Sequence, residues 1–228
     1  MKKIITLFCF ITIVQTVFAQ NNNPDNAKTA LARYSNPMER FTATIKYLET
    51  VDTYATNNID SATCIDLLQI AQQLKNDSLL AISYNWIGYY FSQSKGDNTT
   101  ALEYYFKALP FAEKYNDKRR ISSLYFDIST TYYSLKNIDE FFRFTKKGGQ
   151  NLPDKTSPKY DHMLVQYQRN MGIAYLEKNK LDSALNYAQA AAQTVESDKI
   201  SALLKYTSAR SFSFIYALIA PSKYNICN

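Results

Sequence analysis

Apolar residues recur at helical spacing along most of the chain. Phe41, Ile45, Leu48, Val51 and Ala55 step by four, three, three and four positions, laying one apolar stripe along a helix. Asn36-Pro37 before Met38-Glu39 reads as its start: a capping Asn, Pro in the first turn, then an acid facing the positive helix end. Further on, one phrase returns four times: an apolar residue, a small one, two variable positions, then an aromatic. The copies are Ile87-Gly88-x-x-Phe91, Ile128-Ser129-x-x-Tyr132, Met171-Gly172-x-x-Tyr175 and Phe212-Ser213-x-x-Tyr216. Their small residues lie 41, 43 and 41 positions apart, and a fixed period in this range marks a helical solenoid.

Turn signals keep the same stride. Between the two helices of each unit stand Asn57-Asn58-Ile59-Asp60, Lys95-Gly96-Asp97, Lys136-Asn137-Ile138-Asp139 and Lys178-Asn179-Lys180-Leu181-Asp182. Between units stand Lys75-Asn76-Asp77, Tyr115-Asn116-Asp117 and Ser197-Asp198. Asn or Gly closes a helix in the left-handed conformation, and the following Asp caps the next one. The pattern predicts helices at 38–56, 60–75, 78–94, 98–115, 118–135, 139–150, 159–178, 182–196 and 199–219. A single hairpin cannot bury its apolar face, so neighbours must stack into an all-α solenoid of antiparallel hairpins. Gly148 and Gly149 would each cost about 1 kcal/mol inside a helix, so the helix at 139–150 is expected to be short or frayed at its end. Asn151 to Pro158, with Pro153, then forms the longest joint.

These units resemble tetratricopeptide repeats, over about residues 38 to 220. In that family a small residue in the first helix admits the second, an aromatic one turn on fills the groove, and two Ala seven apart line the second helix. Gly88, Ser129, Gly172 and Ser213 look like the small residue; Phe91, Tyr132, Tyr175 and Tyr216 look like the aromatic. Ala101 with Ala108, and Ala184 with Ala191, match the alanine pair, whereas the middle repeat has Phe141 and Gly148 there. The period is similar to the longer-helix branch found in kinesin light chains and in bacterial peptide-sensing regulators. The resemblance implies a right-handed α-solenoid of about four hairpins plus an incomplete last one, with residues 221–228 as a tail.

Composition fits a folded helical protein: 46% apolar residues with only 5 Gly and 6 Pro. Residues 1–19 read as a secretory signal, with Lys2-Lys3, an apolar run from Ile4 to Val17, and small or modest residues at Val17-Phe18-Ala19. That run is short of the roughly 20 residues a membrane-spanning helix needs, which leaves an uncleaved membrane anchor as the lesser alternative. The expectation is export to the periplasm or beyond, cleavage near Ala19, no membrane span in the mature chain, and a flexible lead-in over 20–37. Of 26 basic residues two leave with the signal, so 24 face 20 acids, too mild an excess to imply nucleic acid. Cys64 and Cys227 are too far apart along a solenoid to pair, and no metal-type cysteine spacing exists.

The sequence supports no enzyme. His162, the only histidine, has neither nucleophile nor orienting acid tied to it, and no phosphate-binding glycine loop or zinc motif is present. No cofactor or metal is implied. Lys114, Lys118, Arg119 and Arg120 form the densest basic cluster, beside Tyr104, Tyr105, Tyr115 and Tyr125. A solvated joint next to core tyrosines accounts for it.

A protein or peptide ligand is the partner that the resemblance implies, since in such proteins the first helices line a concave surface. The candidate contacts are Asn85, Tyr89 and Gln93, then Phe126, Thr130, Tyr133 and Ser134, then Gln166, Arg169 and Glu177, and finally Arg210. Arg169 and Arg210 occupy equivalent places 41 residues apart and would form a short basic ladder for a carboxylate. The resemblance extends to the exported sensor region of bacterial histidine kinases and transcriptional regulators. After the fourth phrase Pro221 breaks the pattern, leaving Phe212, Phe214, Ile215 and Ile219 uncovered. The chain is therefore expected to be a shortened form of something longer; alternatively it self-associates through that last helix as an assembly protein.

Overall fold

The computed structural model describes residue 31, residues 33–53 and residues 59–195. The signal segment, the lead-in up to residue 30, the predicted helix at 199–219 with Arg210, and the tail lie outside the described residues. Eight α-helices make up the described part: α1 Pro37–Thr53, α2 Ser61–Gln73, α3 Asp77–Tyr90, α4 Asn98–Lys114, α5 Lys118–Ser134, α6 Ile138–Gln150, α7 Tyr160–Glu177 and α8 Leu181–Val195. A π-helical turn, Phe91–Lys95, continues α3. The fold is all-α, and neighbouring helices pack as consecutive hairpins in the manner of an α-solenoid.

The chain divides into two compact units at Lys95 and Gly96. In the first, α1 pairs with α2 and α2 with α3. Arg40 grips Asp66 with two hydrogen bonds, Nε to Oδ2 at 3.0 Å and Nη2 to Oδ1 at 2.7 Å, and Phe41, Leu48, Leu67 and Ile70 are buried. In the second, α4 pairs with α5, α5 with α6, α6 with α7, and α7 with α8, while α5 also touches α7. Side chains fix the directions. Phe126 meets Gly148 and Tyr132 stacks on Phe144, so α5 and α6 run antiparallel. Ser129 meets Asn170 and Tyr133 meets Glu177, so α5 and α7 run parallel.

The repeated phrase has a repeated geometry. Tyr132 stacks on Phe144 at 5.5 Å and 11°, and Tyr175 on Tyr187 at 5.5 Å and 22°. Gly88, Ser129 and Gly172 are all buried. A Cβ built on Gly172 would lie 3.4 Å from the Ala184 carbonyl and 3.7 Å from the Ala188 nitrogen, so α8 approaches closely enough to leave room for a methyl and nothing larger. Ala184, Ala188 and Ala191 are fully buried along that contact.

Two expectations need correction. Gly148 and Gly149 do not fray the sixth helix, since α6 runs through both to Gln150, although at 13 residues it is shorter than α4 with 17, as expected. A Cβ on Gly148 would come within 2.4 Å of the Phe126 ring, and one on Gly149 within 2.4 Å of the Tyr167 ring. The glycines are sockets for two aromatic rings, and burying a ring like Phe126 is worth about 1.5–3 kcal/mol, more than the propensity loss. Ser122 Oγ also donates to the Gly148 carbonyl at 2.9 Å, holding that end to α5.

The second correction concerns the joints. Gly96, Asn116 and Asn179 take the left-handed conformation as expected, but at two joints Lys75 (φ 48°) and Lys136 (φ 60°) take it instead. The Asn that follows each lysine is the cap of the next helix: Asn76 Oδ1 accepts from the Leu79 N–H and Asn137 Oδ1 from the Glu140 N–H. Asn is among the best capping residues, and a joint of this length leaves the position before the cap to whichever residue stands there.

Candidate functional site

The candidate contacts of the second unit lie on or near the seam between the parallel helices α5 and α7. The Tyr133 hydroxyl donates to Glu177 Oε1 at 3.1 Å, so two of the predicted residues meet directly. Tyr133 also packs on Phe141, with ring centroids 4.9 Å apart. Burial first, and then the Glu177 carboxylate, push the Tyr133 phenol above its ordinary pKa. Thr130 is half-buried, with its hydroxyl donating back to the Phe126 and Asp127 carbonyls at 3.0 Å. Ser134 is exposed and bonds to the Thr130 carbonyl, and Gln166 is half-buried.

Phe126 cannot be a contact residue. It is fully buried with its ring in the Gly148 socket. Its neighbour in the repeat, Arg169, stands at the equivalent place on α7 but is a cation. That guanidinium is half-buried, and burial lowers its pKa from the ordinary range. Five N–H donors radiate from it, yet the hydrogen bonds it makes go to one acceptor, Asn170 Oδ1, at 3.5 Å from both Nε and Nη2. No carboxylate pairs with it among the described residues. A cation drawn out of water without a counter-charge is unfavourable, so an oxyanion arriving there would gain a strong partner.

Asn170 is a residue that the sequence reading passed over. It is buried on the apolar side of α7, where Nδ2 donates to Ser129 Oγ at 3.5 Å across 41 positions. It therefore links Arg169 to the small residue of the preceding repeat. A polar residue wedged between Arg169 and Met171 on a buried stripe was the available signal. Lys178 and Asp139, read from the sequence as turn residues, form an ion pair between the end of α7 and the start of α6.

In the first unit Asn85 and Tyr89 are half-buried and already make contacts. Tyr89 stands edge-on to Trp86, with centroids 5.6 Å apart at 77°. Gln93 is exposed in the π-helical turn and donates to Ser92 Oγ at 3.0 Å. The structure thus brings Tyr133 and Glu177 together, with Thr130, Gln166 and Arg169 on the same two helices.

Elsewhere the chemistry is sparse. His162 is exposed, and the charged groups acting on it are two cations, Lys159 and Arg169. Of the basic cluster, Arg120 is held by Asp117 at 3.3 Å, while Tyr105 and Tyr125 belong to the core. No group of three or more His, Cys, Asp or Glu that would hold a metal ion occurs among the described residues. No described helix is long and apolar enough to cross a membrane.

No protein-family model and no curated protein matches the sequence. Solved structures do: the chain is similar to the crystal structure of BtubC (BKLC) from P. vanneervenii, with a TM-score of 0.67. The two are 13% identical over 85% of this chain and 82% of that one. At such identity the likeness is one of fold.

Proposed function

We propose that this chain is an exported, non-catalytic scaffold of tetratricopeptide type that binds a protein or peptide, as the sensor or interaction module of a bacterial signalling system. The binding face is the seam of α5 and α7, and the ligand group received there is a carboxylate. One observation carries this reading: Arg169 is partly withdrawn from water with no carboxylate to balance it among the described residues. Tyr133, Thr130 and Gln166 supply hydroxyl and amide groups on the same two helices, suited to the backbone of a bound segment. The likeness to BtubC supports the fold that such a scaffold needs and nothing more specific. The export part of the reading rests on Lys2-Lys3, the apolar run and Val17-Phe18-Ala19.

The test is a fluorescence titration of the purified chain with a peptide library prepared twice, once with free C-terminal carboxylates and once amidated. The reading predicts that a subset binds at least about tenfold more tightly in the free form, and that Arg169→Gln abolishes the difference while helicity is kept. Equal binding of free and amidated peptides, or no binding at all, would contradict it.

A further inference from the structure

A different surface, on α6, carries an excess of positive charge that the hairpin does not need. Phe142, Arg143, Lys146, Lys147 and Gln150 line a shallow groove along one face of that helix. Lys146 and Lys178 place their ammonium groups 5.7 and 5.5 Å from the centre of the Phe142 ring. The Arg143 guanidinium and the Lys147 ammonium lie over Phe144, at 4.4 and 5.2 Å from its ring centre. Arg143 is paired with Glu140, and Lys178 with Asp139. Lys146 and Lys147 have no carboxylate partner among the described residues.

The repeat supplies its own control. The positions of Arg143, Lys146 and Lys147 correspond to Asn186, Gln189 and Ala190 on α8, where there is no charge. On α4 they correspond to Glu103, Phe106 and Lys107, one charge of each sign. Helix pairs of the same kind therefore form without the cluster. Arg143 with Lys146 and Arg143 with Lys147 are three and four residues apart, where like charges repel across a helix face. A ligand of opposite charge offsets that repulsion.

We infer that this face of α6 docks an acidic polypeptide segment from a protein partner. Its carboxylates meet Lys146 and Lys147 and compete with the Glu140 and Asp139 side chains for Arg143 and Lys178. An apolar side chain of the same segment lies against the exposed part of Phe142. The surface belongs to a second helix of the repeat and is separate from Arg169, so it stands or falls independently of the seam between α5 and α7.

The experiment is fluorescence anisotropy on the whole chain with a labelled, C-terminally amidated peptide of alternating Glu and Val, and with its equally amidated Gln and Val counterpart. Binding of the Glu peptide is expected at low salt, with none of the Gln peptide. Lys146→Gln combined with Lys147→Gln should weaken it about tenfold or more, as should raised salt, while Lys107→Gln, at the equivalent exposed place on α4, leaves it unchanged. Reversing both lysines to Glu should move the preference to a Lys and Val peptide, a readout that a misfolded variant would not give. No binding, or binding unchanged by the double substitution, would overturn the inference. So would lysine-dependent sedimentation with phosphatidylglycerol vesicles that the Glu peptide fails to displace, because the surface would then serve a membrane.

Discussion

The Tyr133 hydroxyl reaches the Glu177 carboxylate at 3.1 Å, tying the last turns of two parallel helices together across 44 positions of sequence. The contact joins one repeat to the next on the face assigned to the ligand. It also gives the phenol a higher pKa than it has in the unfolded chain, through burial first and the carboxylate second. Tyr125 is raised in the same way by burial and Glu113, and Tyr167 by burial and Tyr187.

A phenol whose pKa rises on folding holds its proton more tightly in the native state. Its contribution is whole below the unfolded value of 10.0 and is lost as pH climbs through the folded value. Urea midpoints are therefore expected to show no loss from these groups up to about pH 9 and a decline above about pH 10. Tyr133→Phe with Tyr167→Phe should flatten that decline. An identical decline in wild type and double variant would refute the assignment.

The two glycines of α6 should respond differently to alanine. Both would gain about 1 kcal/mol of helix propensity. Gly148→Ala drives a methyl into Phe126, which is fully buried and has nowhere to turn. Overpacking of that kind costs about 1–3 kcal/mol, so the net effect is destabilising. Gly149→Ala meets Tyr167, which is only half-buried and can swing aside, so it should be close to neutral. Denaturant midpoints for the two variants decide this, and equal effects would argue against the socket description.

At Gly172 the size of the substituent should set the sign. A single Cβ sits at ordinary contact, 3.6 Å from Tyr187 Cβ and 3.4 Å from the Ala184 carbonyl. Gly172→Ala is expected to be neutral or to stabilise by up to about 1 kcal/mol. Gly172→Leu must push α8 away and should destabilise by about 1–3 kcal/mol. A melting temperature unmoved by leucine would mean that α7 and α8 do not approach as described.

Cys64 should be inert in the folded chain. It is buried, with its Sγ 3.7 Å from the Trp86 carbonyl, and burial followed by the Asp60 charge pushes its thiol up to about 12. Only the thiolate is a strong nucleophile, so iodoacetamide at about pH 8 should leave Cys64 unmodified until denaturant is added. Peptide mapping after brief labelling reads this directly, and modification at the native rate of a free thiol would contradict the packing of α2.

Much of this architecture was legible in the residues because local rules and packing agree. The 41- and 43-residue strides of Gly88, Ser129 and Gly172 survive as buried places. Helix bounds fall within a few residues of the periodic pattern wherever both can be compared. What escaped depends on partners distant in sequence. Nothing around Gly148 announces that the Phe126 ring, 22 positions earlier, occupies the space of its missing Cβ. For the same reason Phe126 passed for a surface contact: repeat position alone does not say which neighbour offers a cavity. Local chemistry also misled at Lys75 and Lys136, where the demand for an Asn cap outweighed the discomfort of a left-handed lysine.

The most direct test of the ligand face is hydrogen exchange on the whole chain, with and without the tightest peptide from the free-carboxylate library. A seam that holds a peptide should slow exchange in segments 118–134 and 160–177, most strongly around Tyr133 and Arg169, and Arg169→Gln should erase the effect. Protection confined to the second helices α6 and α8, or unchanged exchange at saturating peptide, would contradict the binding face assigned to α5 and α7.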